Sequence, residues 1–169
     1  NQKLVIPENK KKIIKKKKIK AKKIEKKKKV VAKPKKKINI PKPNYKEKFA
    51  WPVKGKIILK FGSSSPGFFN DGINISSSSG TKVRASGDGE IVYSGNEIPG
   101  YGNLILIRHS KNWITAYAHL EKILIKKGSF VKKGDLIGSV GSSGNVQNPQ
   151  LHFEIRKGKE AVDPLKYLS

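Results

Sequence analysis

Three short segments hold the residues able to do chemistry: Asn70-Asp71-Gly72-Ile73-Asn74-Ile75, Tyr117-Ala118-His119-Leu120 and Pro149-Gln150-Leu151-His152-Phe153-Glu154. Imidazole both binds zinc and moves protons near neutral pH. His119 and His152 are therefore candidates for metal ligation or general base work. A lone histidine on a strand is more often a packed or surface residue, so order, spacing and flanks have to carry the argument. His109 ends an apolar run and reads as a structural or surface residue rather than a ligand. The chain has no cysteine, which excludes disulfides and thiolate zinc sites.

The elements that must position these residues read as strands. Short β-branched runs alternate with Gly, Ser and Asn turns: Lys56–Phe61, Lys82–Ala85, Glu90–Ser94, Leu104–His109, Trp113–His119, Leu136–Val140 and Leu151–Arg156. Such spacing predicts an all-β fold of antiparallel sheets folded over on themselves, with little helix. Ser110-Lys111-Asn112 and Lys157-Gly158 read as hairpin turns. Side chains alternate faces along a strand, so Gln150 and His152 share one face while Leu151 and Phe153 take the other. By the same rule an extended backbone at Asn70 turns Asp71 away from it.

Charge divides the chain. The formal net charge is +26 over 169 residues. Residues 1–48 hold 22 Lys against Glu8, Glu25 and Glu47, and residues 49–169 hold 16 Lys and Arg against 9 acids. Apolar residues in the first stretch recur at no helical or heptad interval, and like-charge repulsion predicts an extended, disordered, Lys-rich tether. Such a tether favours anionic surfaces, a membrane or a wall polymer. Nucleic acid is the less suitable partner, because interleaved aromatics and a recognisable reading module are missing there. Residues 49–169 form the folded domain, long enough to bury a core without metal or disulfide. No run approaches the roughly 20 apolar residues that span a bilayer. The absence of methionine, even at position 1, suggests a fragment or a processed chain, with a signal or anchor removed.

With its flanks, this pattern resembles the LytM-type, lysostaphin-like zinc endopeptidases of the bacterial cell wall. Trp51-Pro52-Val53-Lys54-Gly55 opens the similarity, followed by Gly80-Thr81-Lys82-Val83, Gly87-Asp88-Gly89 and Gly100-Tyr101-Gly102-Asn103. Gly134-Asp135-Leu136-Ile137-Gly138 and Val162-Asp163-Pro164-Leu165 continue it to the end of the chain. The resemblance implies a barrel- or sandwich-like fold of the duplicated hybrid motif type. It also implies a site built from His-x-Gly-x-Asp, Tyr-x-His and His-x-His segments. The zinc ligands of that pattern are its first His, its Asp and its last His.

This sequence departs from the pattern where it matters most. Asn70 stands at the first ligand position, Asn74 at the Asp position and Gln150 at the first His of the last motif; His119 and His152 are kept. A neutral amide oxygen is a poor zinc ligand and offsets none of the 2+ charge. Without the metal no water is acidified for attack, and Gln150 cannot carry a proton in turnover. No metal and no functional catalytic residue are therefore expected. Rescue by Asp71 would need a local rearrangement beside Gly72.

Within the family, the departures resemble the degenerate murein hydrolase activators of the NlpD and EnvC type. That resemblance implies a cell-envelope protein that binds and activates a peptidoglycan amidase during cell separation. The groove lined by Asn70, Asn74, His119, Gln150 and His152 would then be an interaction surface. Alternatives are a peptidoglycan-binding module without activator role, a residual zinc metalloendopeptidase of cross-bridges, and a polyanion binder driven by the tail.

Overall fold

A computed structural model describes residues 49–169. The disordered tether expected over residues 1–48 lies outside the described residues. Among those described, twelve strands and two one-turn 3-10 segments follow one another. They are β1 (Lys56–Leu59), β2 (Gly62–Ser65), β3 (Phe68–Asn70), β4 (Ile73–Ser76), β5 (Lys82–Arg84) and β6 (Gly89–Gly95). Then come β7 (Asn103–Arg108), β8 (Trp113–Ile123), β9 (Phe130–Val131), β10 (Leu136–Val140), β11 (Gln150–Lys157) and β12 (Glu160–Val162). The all-β, antiparallel expectation holds. The run expected over Lys56–Phe61 ends earlier, at Leu59, and the chain turns at once into the β2–β3 hairpin.

The main antiparallel sheet runs β1-β4-β11-β8-β7-β6-β9, with β12 on β11 and β10 bridging β8 to β5. Both expected hairpins form: Ser110–Asn112 joins β7 to β8 with Lys111 and Asn112 at positive φ, while the turn from β11 to β12 falls one residue later than expected, at Gly158-Lys159, because Lys157 still pairs with Glu160.

The centre of the sheet is where the strand pattern does its work. In β11, Leu151, Phe153 and Ile155 enter the main apolar core with Ile73, Ile75, Tyr117 and Leu120. The alternate residues Gln150, His152 and Glu154 face the other way and are nonetheless buried, at 8%, 8% and 2% exposure. Burying polar groups this deeply is costly unless each finds a partner, so this second face must carry a hydrogen-bonded network. Register lines it up: His152 lies opposite Asn74 on one side and Ala118 on the other.

One glycine is essential to this arrangement. Between β3 and β4 the chain bends at Asp71-Gly72, and a Cβ on Gly72 would sit 2.2 Å from the Phe153 carbonyl oxygen. Only a residue without a side chain lets β4 lie this close to β11.

Candidate functional site

The site begins with the β3–β4 bend. Asn70 is buried at the end of β3, and its Nδ2 donates to the carbonyls of Gly72 (2.8 Å) and Lys60 (3.1 Å). Two carbonyls, which only accept, fix the orientation of that amide. The same Nδ2 also faces Asn74 Oδ1 at 3.2 Å. The oxygen of Asn74 therefore points into the site, and its Nδ2 points out, donating to Gln150 Oε1 at 2.8 Å. Gln150 Nε2 in turn donates to the Asn148 carbonyl at 3.3 Å.

Asn74 Oδ1 also faces His152 Nδ1, at 3.0 Å. On the far side of the ring, His152 Nε2 lies 3.0 Å from Glu154 Oε1. Both imidazole nitrogens are thus directed at oxygen acceptors. Glu154 is held further by Tyr101, whose hydroxyl donates to Oε1 at 3.1 Å, and by Arg156, whose Nη1 donates to Oε2 at 2.5 Å. Burial pushes the Glu154 carboxyl up, but the hydrogen bonds and charge of His152 and Arg156 outweigh it and leave the group below the ordinary carboxylate range. Burial and the neighbouring Glu154 push the Tyr101 phenol up to about 12. Arg156 reaches on to Asp71 Oδ2 at 3.4 Å. Asp71 borders the same cleft as Asn70 and meets Arg156, and the backbone there bends rather than extends.

His119 reaches the same face by a different route. Tyr117 points into the core, so strict alternation would send His119 there too. Instead, the register of β7 on β8 slips between Ile105↔Tyr117 and Asn103↔Leu120, and His119 takes φ +62°. This bulge with a left-handed residue swings the ring onto the polar face, 6.0 Å from the His152 ring. A left-handed non-glycine backbone is strained and persists only where its surroundings fix it. Here the His119 amide donates to the Tyr101 carbonyl (2.9 Å) and Nδ1 to the Ser143 carbonyl (2.9 Å). Burial lowers the His119 pKa. With Nδ1 carrying the proton, Nε2 is an acceptor, and it makes no hydrogen bond among the described residues.

Two loops meet beneath this histidine. Gly102 (φ +60°) and Gly144 (φ +78°) pack backbone on backbone: a Cβ on Gly102 would lie 2.5 Å from Gly144 N, and one on Gly144 the same distance from Gly102 N. That approach carries Tyr101 over the site and the Ser143 carbonyl under His119.

Together these elements border a cleft of about 300 Å³, whose lining includes Asn70, Asn74, His119 and His152. Leu59, Phe68, Phe69 and Val146 make part of its wall apolar. Gln150 does not line the cleft but braces Asn74 from behind. His109 is elsewhere, buried between the Asp88 carbonyl and Thr115 Oγ1. Reading of the sequence did not assign roles to Tyr101, Glu154 and Arg156. The period-2 rule that paired Gln150 with His152 extends to Glu154 and Arg156 without change. Tyr101 sits on a loop, and no periodicity could have found it.

Comparison with known proteins agrees with this architecture. Over 121 residues the chain is 49% identical to the cell division protein DipM of Caulobacter vibrioides, covering 72% of this chain and 20% of that protein. It is 45% identical over 118 residues to the murein hydrolase activator NlpD of Escherichia coli, covering 70% of this chain and 30% of NlpD. The chain thus spans less than a third of the length of these two relatives. A zinc-containing peptidase of Vibrio cholerae superposes with a TM-score of 0.64 at 31% identity, covering 70% of this chain and 40% of that one. Residues 68–164 match the family model described as Peptidase family M23, and with the shared fold and site segments this places the chain in that family.

Proposed function

We propose that this domain is a binding module in the bacterial envelope which holds no zinc, and that it activates an N-acetylmuramoyl-L-alanine amidase during cell separation. The observation that carries the reading is the hydrogen-bonded network around Asn74. A zinc ion seated there would meet the N–H donors of Asn70 instead of a lone pair, an uncharged Asn74 oxygen, and a His152 whose two nitrogens are both engaged. Such a donor set does not fit a dication, which calls for imidazole nitrogen, thiolate or carboxylate.

A site with its ligands replaced but its cleft kept is suited to holding a partner. The cleft offers His119 Nε2 as a hydrogen-bond acceptor and an apolar wall at Phe68 and Phe69, both largely exposed. An extended or helical segment of an amidase could cover these groups, and seating it would draw that segment away from the amidase's own active site. DipM is named for cell division and NlpD for murein hydrolase activation, which supports the same role here. Residues 1–48, with 22 Lys, would serve as the tether that carries the domain from its anchorage.

The test is an amidase assay on purified sacculi with and without the full chain, from which metal content is also measured after exposure to zinc and dialysis. Stimulated release of stem peptides, with no cleavage by the chain alone and less than about a tenth of an equivalent of zinc, is the expected outcome. Sedimentation with sacculi without stimulation would replace the activator by a peptidoglycan-binding module. One equivalent of zinc with chelator-sensitive cleavage of cross-bridges would restore the peptidase.

A further inference from the structure

None of the residues lining the cleft belongs to the most basic stretch of the folded domain. That stretch runs from the end of β8 through β9 into β10 and contains two similar turns, Lys126-Lys127-Gly128 and Lys132-Lys133-Gly134. Their glycines stand at φ +86° and +91°, and each turn closes alike, Ser129 N donating to the Lys126 carbonyl and Asp135 N to that of Lys132. Within the same thirteen residues, Leu124, Phe130 and Leu136 are 55%, 47% and 39% exposed. Hydrogen bonds tie the stretch to the body of the sheet: Leu124 N to the Ile137 carbonyl, and Ile91 N to the Ser129 carbonyl. Phe130 is held out on β9, the terminal strand of the main sheet.

The neighbouring carboxylates are engaged by other donors, and their charge offsets only part of that of the lysines. Asp135 accepts from the Lys132 amide, Asp88 from the Lys133 amide, and Glu90 pairs with Arg108 at 2.7 Å. Lys126, Lys127 and Lys132 have no ion pair among the described residues. This stretch therefore combines ammonium groups that have no ion pair among the described residues with large aliphatic and aromatic side chains that the fold leaves in water. A glycan or nucleic acid chain would take the charge or the ring but gain little from two exposed leucines. A bilayer uses all three groups, apolar side chains entering the interface while lysines meet the headgroup phosphates.

We propose that this turn-and-edge surface docks the domain on an anionic phospholipid membrane, independently of whatever occupies the cleft. The Lys-rich residues 1–48 would also attract such a membrane, so the test must separate insertion from charge. The full chain carrying F130W is mixed with vesicles of phosphatidylcholine and phosphatidylglycerol, and its emission is compared with that of the wild type, which has only Trp51 and Trp113. The expected result is a blue-shifted signal from the introduced indole, quenched by brominated acyl chains. Vesicle binding with that indole still water-like would mean attraction through residues 1–48 alone and overturn the proposal. At about 1 M salt, where the Debye length falls to about 3 Å, L124S/L136S should bind roughly tenfold more weakly than wild type. Equal binding of the two, or binding to sacculi in place of vesicles, would also overturn it.

Discussion

Two buried polar networks flank strand β8, and only one of them opens to a cleft. The first surrounds His152 and the second surrounds His109. In the second, Nδ1 donates to the Asp88 carbonyl (2.7 Å), Nε2 meets Thr115 Oγ1 (2.8 Å), and Thr115 is hydrogen-bonded to the Tyr117 hydroxyl (3.0 Å), which accepts from Ser86 N (2.8 Å). Phe49 closes over the ring, edge to face at 5.1 Å. Every group on that histidine is used within the protein, and no formal charge enters the chain of bonds. Around His152 the chain of bonds ends in a carboxylate and a guanidinium, and the adjacent His119 keeps an unused acceptor facing a cleft. A buried histidine with two partners is therefore no sign of function by itself. Charged ends, spare hydrogen-bonding capacity and access distinguish the candidate site from it.

That contrast can be broken experimentally. The largest effect belongs to the closed network: H109A removes a packed ring and strands Thr115, and should destabilise the domain by about 3 kcal/mol, a fall in Tm of roughly 10 °C. Amidase stimulation at a permissive temperature should be unchanged; its loss would show that the two networks are coupled. Next comes N70H/N74D, which returns two ligands beside His152. It should retain close to one zinc per chain after dialysis and gain about 2.7 kcal/mol at a hundredfold excess of zinc over Kd. If it stays metal-free, the carbonyls of Lys60 and Gly72, not the side-chain types, decide what the site can hold. Smaller still is Y101F, which leaves Glu154 with His152 and Arg156 but without the phenol and should cost about 1 kcal/mol in urea denaturation. A loss of amidase stimulation larger than this would place Tyr101 in the partner contact.

Acid provides the subtlest test. Burial lowers the pKa of His109 in the folded domain. As pH falls through the ordinary imidazole value of about 6.5, the unfolded chain takes up a proton that the folded domain refuses, so stability present above that pH is lost below it. The urea midpoint should drop across this window, and the drop should shrink in H109Q. An identical pH profile in both proteins would assign the effect to another group.

Much of the fold was legible because strands advertise themselves through β-branched runs and turn residues, and because Ser110–Asn112 and Gly158 sit where hairpins need them. The pairing of Gln150 with His152 followed from alternation alone. Three features were not legible, each for a physical reason. The early end of β1 depends on the β2–β3 hairpin, whose Gly-Ser-rich sequence has no apolar period. The orientation of His119 violates alternation, because a bulge set by the partner strand overrides the local period. The place of Tyr101 depends on two loops more than forty residues apart in sequence, held by glycines whose close approach appears only in three dimensions.

The contact between Gly102 and Gly144 has a mechanical consequence. Backbone lies against backbone there with no side chain between, so the spacing of the two loops is set by peptide units alone. Asn145 and Val146 belong to one loop and Tyr101, bonded to the Glu154 carboxylate, to the other, and all three line the cleft. A side chain at either glycine would force the loops apart, so a single added Cβ would displace two walls of the cleft at once.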